Sequence, residues 1–290
     1  MKRKLLLLSL MTASALFSAD NLSSAFSEGK VSGQLRAYYM NEDNKEGLKD
    51  YHGLTVGGKL KYETAALYGF KLGTAFYTTS FLNTNVSSTN TEPTAGNKGS
   101  RYVVGLVDAT DPDNNSVANL GEAYINYQVS KTSATLGRMK LNTPFINPED
   151  GRMIPTLEQG LWIKSNDIKN VTLQAGYINA FWNRSTPEWR SVEDSLGYGY
   201  AQGKAPLAGN TNANYYTNTS SNGVYVASVA YDGIPGVKLA AWDYYVENIF
   251  NLEYLEGHYK KKIGDYTLLA GLQYIGEQEV GDGGNSADNV

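Results

Sequence analysis

From Val31 onward, apolar and polar side chains alternate over runs of eight to ten residues, and each run breaks at Gly, Asn, Asp, Ser or Pro. A period of two marks a strand with one greasy and one wet face; an amphipathic helix would repeat at 3.6. In the first run Val31, Gly33, Leu35, Ala37 and Tyr39 share one side, and Ser32, Gln34, Arg36 and Tyr38 the other. The second sets Val56, Gly58, Leu60 and Tyr62 against Thr55, Lys59, Lys61 and Glu63, and a third extends from about Tyr68 to Thr79. In a later run Ala123, Ile125, Tyr127 and Val129 oppose Glu122, Tyr124, Asn126 and Gln128. Further strands are expected at Thr132–Met139, Leu161–Ser165, Val171–Tyr177, Val224–Tyr231, Val237–Tyr245, Phe250–Lys260 and Tyr266–Ile275. The total is about eleven or twelve, one per roughly 20 to 23 residues, the cadence of an up-and-down membrane barrel.

Alternating strands also build soluble sandwiches, whose apolar faces meet inside. Strand length separates the two, because sandwich strands average about five or six residues and a tilted bilayer crossing needs about ten. Aromatic residues such as Tyr38, Tyr39, Tyr62, Phe76, Tyr77, Trp242, Tyr244 and Tyr274 lie toward run ends, where interface girdles form. Charges within the runs fit as well. Arg36, Lys59, Lys61, Lys71 and Lys238 would face a watery lumen at little cost, whereas a dry core would penalise each. The connections Asp232–Gly236 and Ser165–Asn170 are short, and those of about Leu82–Ser100 and Arg184–Asn222 are long and polar. The fold expected is therefore all-β, a transmembrane antiparallel up-and-down barrel.

Composition narrows the chemistry. The 290 residues contain no Cys and two His, which removes disulfides, thiolate metal sites and Cys nucleophiles. Met1–Ala19 opens with Lys2, Arg3 and Lys4, continues through the apolar run Leu5–Leu8 and ends in small residues, as an export signal does. Residues 20–290 are then the barrel domain. Removing the signal leaves 22 basic against 29 acidic side chains, a formal charge of −7, with the cations dispersed, so nucleic acid is not an expected partner.

The segments Val31–Tyr39, Gly121–Tyr124, Leu136–Pro144 and Pro148–Gly160, the last containing Asp150-Gly151-Arg152, resemble the OprD family of outer-membrane porins, in particular those of epsilon-group proteobacteria. The resemblance implies an 18-stranded barrel in the outer membrane of a Gram-negative bacterium, narrowed by loops. It implies passive transport of small anionic or zwitterionic solutes along a basic track, with no cofactor. Arg36 matches the basic track of the first strand, Arg138 the Gly-Arg strand, and Asp150 and Arg152 the constriction motif. Lipid and lipopolysaccharide are the implied surroundings, and monomer and homotrimer are both open. The polar run Glu277–Val290 lacks a closing aromatic strand, so about six strands are expected beyond it.

Arg138, Asp150 and Arg152 can set charges of both signs across a gap and so orient dipolar solutes. Asp150 and Arg152 could equally pair with each other only to keep the Pro144–Pro155 segment folded. The lysines could be a selectivity track or merely solvated faces. Trp182, Arg184, Glu188, Trp189 and Arg190 cluster beside the long loop, and an interface girdle explains them better than sugar stacking. No GxSxG, HExxH or P-loop motif occurs, and Gly197-Tyr198-Gly199 lacks the spacing of a dinucleotide loop, so an enzyme is not expected. His258 is the one plausible base within a strand, and no Ser can be tied to it. The alternative in another class is a surface adhesin whose long loops bind a partner.

Overall fold

A computed structural model describes residues 19–45, 49–87, 100–109, 111–195 and 220–284. Residues 1–18 of the expected signal, parts of both long loops, Gly197-Tyr198-Gly199 and the last residues of the polar run lie outside the described residues.

Twelve strands occur among the described residues. They are β1 (Lys30–Glu42), β2 (Tyr51–Glu63), β3 (Phe70–Thr84), β4 (Ser116–Val129), β5 (Thr132–Met139), β6 (Leu157–Ser165), β7 (Val171–Trp182), β8 (Arg190–Ser191), β9 (Val224–Tyr231), β10 (Val237–Val246), β11 (Phe250–Ile263) and β12 (Tyr266–Glu279). Each pairs antiparallel with its sequence neighbour in one meandering sheet, β8 excepted, which adds only to β7 while β7 itself pairs with β9. The order runs from β1 to β12, and these two are not paired with each other among the described residues. Among the described residues, the short helix α1 (Leu22–Ser27) precedes β1, and α2 (Ser100–Val104) and α3 (Val192–Ser195) lie in the connections.

The alternation sets the two faces. Leu35 is 96% exposed and Leu60 61%, and both point away from the face that carries Arg36, Lys59 and Lys61. Phe70, Leu72, Phe76, Ile125, Tyr127 and Leu136 continue this exposed apolar band on β3 to β5. In water such a band would be a liability; against hydrocarbon it is the stable arrangement. Register is held where strands approach most closely. Gly58 sits at φ +140, and a Cβ there would fall 1.8 Å from the Gln34 carbonyl oxygen of β1, so only glycine fits.

Turns on one side are tight, with Val129 and Thr132 already paired across Ser130 and Lys131. Lys131 and Asn166 tie two neighbouring turns through a 3.1 Å backbone bond. Asp167 completes this knot, accepting from Ser130 Oγ at 2.6 Å, Thr132 Oγ1 at 2.5 Å and Lys131 N–H at 2.9 Å. The Ser130 hydroxyl first, then Thr132 and the backbone amide, pull the Asp167 carboxyl down to about 2. A carboxyl with a depressed folded pKa stabilises above its unfolded value, and that contribution is lost as pH falls through the folded value. Unfolding midpoints should therefore decline between about pH 4 and pH 2, and Asp167→Asn should flatten that part of the profile. An identical slope in the variant would contradict the knot.

Connections on the other side are mostly long: residues 43–50, 85–115, 140–156 and 183–223, with only the β10–β11 turn short. Several fold back over the inner face and fill it. Thr79 Oγ1 donates to the Leu106 carbonyl at 3.1 Å, and Ser185 Oγ to that of Gly105. Trp182 and Tyr77 meet edge to face, with ring centroids 6.2 Å apart, inside a buried cluster that includes Val107, Val117, Ile154 and Leu157. This corrects the girdle assignment for part of the aromatic set. Tyr77, Tyr244 and Trp182 are buried under inward loops rather than placed at a lipid interface, because loops give the inner face an apolar side of its own.

Candidate functional site

The site is the β5–β6 connection, residues 140–156, which is tied to three separate parts of the inner wall. Thr143 closes a turn around Pro144 by bonding with Ile146, its amide to the Ile146 carbonyl at 2.8 Å and its hydroxyl at 2.9 Å. That turn presents Phe145, which packs edge-on between Tyr244 of β10 at 5.6 Å and Tyr254 of β11 at 5.4 Å. Further on, Thr156 N–H donates to the Pro148 carbonyl at 2.8 Å and folds the segment back on itself. Pro144, Pro148 and Pro155 fix φ at three points, so the shape is held by the chain as well as by its contacts.

Beyond the Pro148 fold, the segment is fastened to β1 and to the β7–β8 connection. Arg36 of β1 binds Asp150 Oδ1 at 2.7 Å and also donates to the Arg152 carbonyl at 2.5 Å. Lys140 lies 3.9 Å from the other Asp150 oxygen. Arg184 pairs with Glu149 at 2.8 Å. Gln34, Arg36, Lys59, Tyr77, Lys140 and Asp150 all border one small gap beside the segment. Two cations thus pair with one carboxylate and a third borders the same gap, leaving a local excess of positive charge beside the segment.

The residues expected from sequence are distributed as follows. Asp150 and Arg152 do not pair with each other. Asp150 takes Arg36 and Lys140, while the Arg152 guanidinium lies 5.8 Å from the Tyr102 ring centre and 3.6 Å from Met40 Sδ. Arg138 joins neither. It follows Gly137, which adopts φ +123, and its Nε donates to Gln159 at 3.0 Å while its guanidinium covers the Trp189 ring at 4.7 Å. Trp189 packs on the buried cluster of Tyr77 and Trp182.

Of the lysines, Lys61 is held by Glu122 at 2.7 Å and Lys71 by Glu63 at 3.6 Å. Lys59 lies 5.8 Å from the centre of the Tyr77 ring, and Lys238 stands opposite His258 on β11. Among the described residues no carboxylate comes within ion-pair reach of Lys59, Lys238 or Arg138.

Sequence reasoning did not single out Glu122, Lys140, Phe145 or Glu158. Glu122 is nearly fully buried and accepts from both Lys61 and Tyr77 at 2.7 Å. Its one legible signal was a carboxylate in the middle of a strand that carries no other charge. His258 contacts Glu256 at 3.0 Å, and among the described residues no serine is hydrogen-bonded to either of them.

A wall of alternating strands with an inward segment studded by opposed charges matches a known design. The family model described as outer membrane porin, OprD family, matches residues 24–290. The chain belongs to the OprD family. It is accordingly a β-barrel protein of the outer membrane of a Gram-negative bacterium. Porin-like protein GalP of Pseudomonas putida is 23% identical over 271 residues, covering 91% of this chain and 58% of that protein. OccK8 (OprE) of Pseudomonas aeruginosa superposes with a TM-score of 0.68 at 18% identity, covering 91% of this chain and 58% of that one. OpdK of the same species, solved with vanillate, gives 0.62 at 19% identity, covering 89% and 59%. The chain thus spans about three-fifths of the length of these relatives. At such identities the structures establish the shared barrel fold alone.

Proposed function

We propose that this barrel forms a water-filled pore for passive diffusion of small hydrophilic solutes, with a preference for anionic or zwitterionic ones. The observation that carries this is the placement of residues 140–156 along the inner wall, pinned by Arg36 to Asp150 at 2.7 Å with Lys59 and Lys140 beside it. Fixed charges around a narrow passage select by field and by size without any chemical step. Arg36, Arg138, Asp150 and Arg152 shape the passage in this proposal. Lys59 and Lys238 act as the open cations of the wall, and Lys61 and Lys71 are largely neutralised by Glu122 and Glu63. A small organic carboxylate is the solute class the charge favours, and the vanillate bound in OpdK is such a molecule.

In the same proposal Met1–Ala19 is an export signal, residues 20–290 belong to the barrel, and lipid and lipopolysaccharide surround its apolar band. The source is of the epsilonproteobacterial type, and the assembly is a monomer or a homotrimer. Catalysis plays no part, in keeping with a family of channels.

Planar-bilayer recording of the full-length protein tests this. Discrete single-channel steps with an anion-selective reversal potential in asymmetric salt are expected. Arg152→Glu adds two units of negative charge at the passage and should shift the reversal potential toward cation preference. Absence of any current while the loops capture a partner would favour the adhesin reading instead, and an unchanged potential in Arg152→Glu would remove that residue from the constriction.

A further inference from the structure

We infer that Glu158 is the positioning residue of the constriction: its buried carboxyl fixes where the 140–156 segment leaves the wall, and so sets the aperture through Asp150 and Arg152 without touching the solute. The inference rests on the pore proposal above and adds to it a residue that lies outside the Asp150-Gly151-Arg152 motif.

Glu158 is the second residue of β6, fully buried, and stands opposite Met139, the last residue of β5. Strand pairing between β5 and β6 ends at that couple. Leu141 lies two residues further on, where the chain has already turned inward, and its N–H donates to Glu158 Oε2 at 2.8 Å. The bond therefore spans the junction between wall and segment. Leu141 is itself buried, so without this acceptor its amide would be left idle in a dry environment.

The second carboxyl oxygen argues against a packing role. Glu158 Oε1 is buried and has no hydrogen-bond partner among the described residues. Burying a polar atom without a partner is costly, and a methionine of similar volume would fill the space without that cost. What an apolar side chain cannot do is accept the Leu141 amide. Directly adjoining that amide is Lys140, whose ammonium lies 3.9 Å from Asp150, and four residues past it Phe145 seats between Tyr244 and Tyr254. Releasing the junction frees the root of the segment and so loosens its pins at Arg36, which displaces the charged side chains and bares the Arg152–Met153 bond without unfolding the wall.

Glu158→Gln, Glu158→Met and Glu158→Ala in the full-length protein separate the possibilities, each first checked for the heat-dependent gel shift of a folded barrel. The Gln variant should keep wild-type conductance, reversal potential and resistance of the Arg152–Met153 bond to trypsin, because its amide oxygen still accepts from Leu141. The Glu158→Met protein keeps the volume and loses the acceptor; it should show a larger conductance, a reversal potential moved toward zero and cleavage after Arg152. Should Glu158→Ala fail to fold, Glu158→Met decides. Wild-type values for a folded Glu158→Met protein overturn the inference, and so does a Gln variant that behaves like it. Loss of the barrel in Glu158→Met but not in Glu158→Gln would assign the residue to wall stability and overturn it too. If the wild type carries no current yet Glu158→Met alone exposes the tryptic site, the positioning role stands and the pore proposal falls.

Discussion

Replacing Arg36 by alanine should raise single-channel conductance, weaken anion preference and expose the Arg152–Met153 bond to trypsin. One guanidinium holds the segment at two points, Asp150 at 2.7 Å and the Arg152 carbonyl at 2.5 Å, and both are partly shielded from water. Hydrogen bonds to a charged group contribute about 1.5–3 kcal/mol each. Losing an anchor of about 3 kcal/mol would raise the population of the released segment roughly a hundredfold. Arg36→Lys should recover the ion pair but not both bonds, since an ammonium lacks the planar fork. Currents and potentials equal to wild type in the alanine variant would show that the segment is held elsewhere.

Trp182→Ala should destabilise the folded barrel by about 3–5 kcal/mol, the range for removing a fully buried large aromatic. Trp182 is inaccessible to solvent, meets Tyr77 at 6.2 Å and Trp189 at 6.2 Å, and donates from Nε1 to the Thr186 carbonyl at 2.6 Å. The neighbouring backbone is already tight. A Cβ on Gly121 would come within 2.6 Å of Tyr77 and 2.9 Å of Trp182, so the cluster is packed against glycine and has no larger side chain to collapse into the void. Urea unfolding in a fixed detergent, followed by Tyr and Trp fluorescence, reads the change in midpoint. A shift corresponding to less than about 1 kcal/mol would mean that the inward loops contribute little to stability.

These two expectations differ in how far the sequence foretold them. Strand positions were legible wherever one face met lipid and the other water, because that contrast writes itself as a period of two. Thr132–Met139 and Val224–Tyr231 match the structure end to end. Strands are longer than the pattern where alternation is interrupted. β4 begins at Ser116, six residues before the alternating stretch, since a register shift near Gly121 against Ala75 and Phe76 breaks the period. β6 starts at Leu157 rather than Leu161 for a similar reason, the irregularity between Gln159 and Gly160 against β7. The two-residue β8 has no pattern to read at all.

The site was legible only in part. Asp150, Arg152 and Arg36 stood out through the Asp-Gly-Arg segment and the first strand, and the structure brings them together. Which cation meets which carboxylate was not legible, because those pairs form between strands or across the inner face, 8 residues apart for Lys71 and Glu63, 61 for Lys61 and Glu122 and 114 for Arg36 and Asp150. Lys61 and Lys71 looked like open cations for want of any local clue to Glu122 and Glu63. Tyr77, Trp182 and Tyr244 looked like girdle residues because a period of two assigns a face but does not say what fills the space beyond it. Only folding back of the connections supplies that.

Both the pore and its constriction require the apolar side of the wall to meet lipid. Because these 290 residues contain no Cys, single cysteines can be placed along β2 and labelled with a nitroxide in liposomes. Oxygen, which concentrates in hydrocarbon, should collide most with labels at Leu54, Val56, Leu60 and Tyr62. A polar nickel chelate should reach those at Lys59 and Lys61. A two-residue oscillation of opposite phase for the two reagents is the predicted result. Equal accessibility along the strand, or a full-length protein that stays monodisperse in water without detergent, would contradict it.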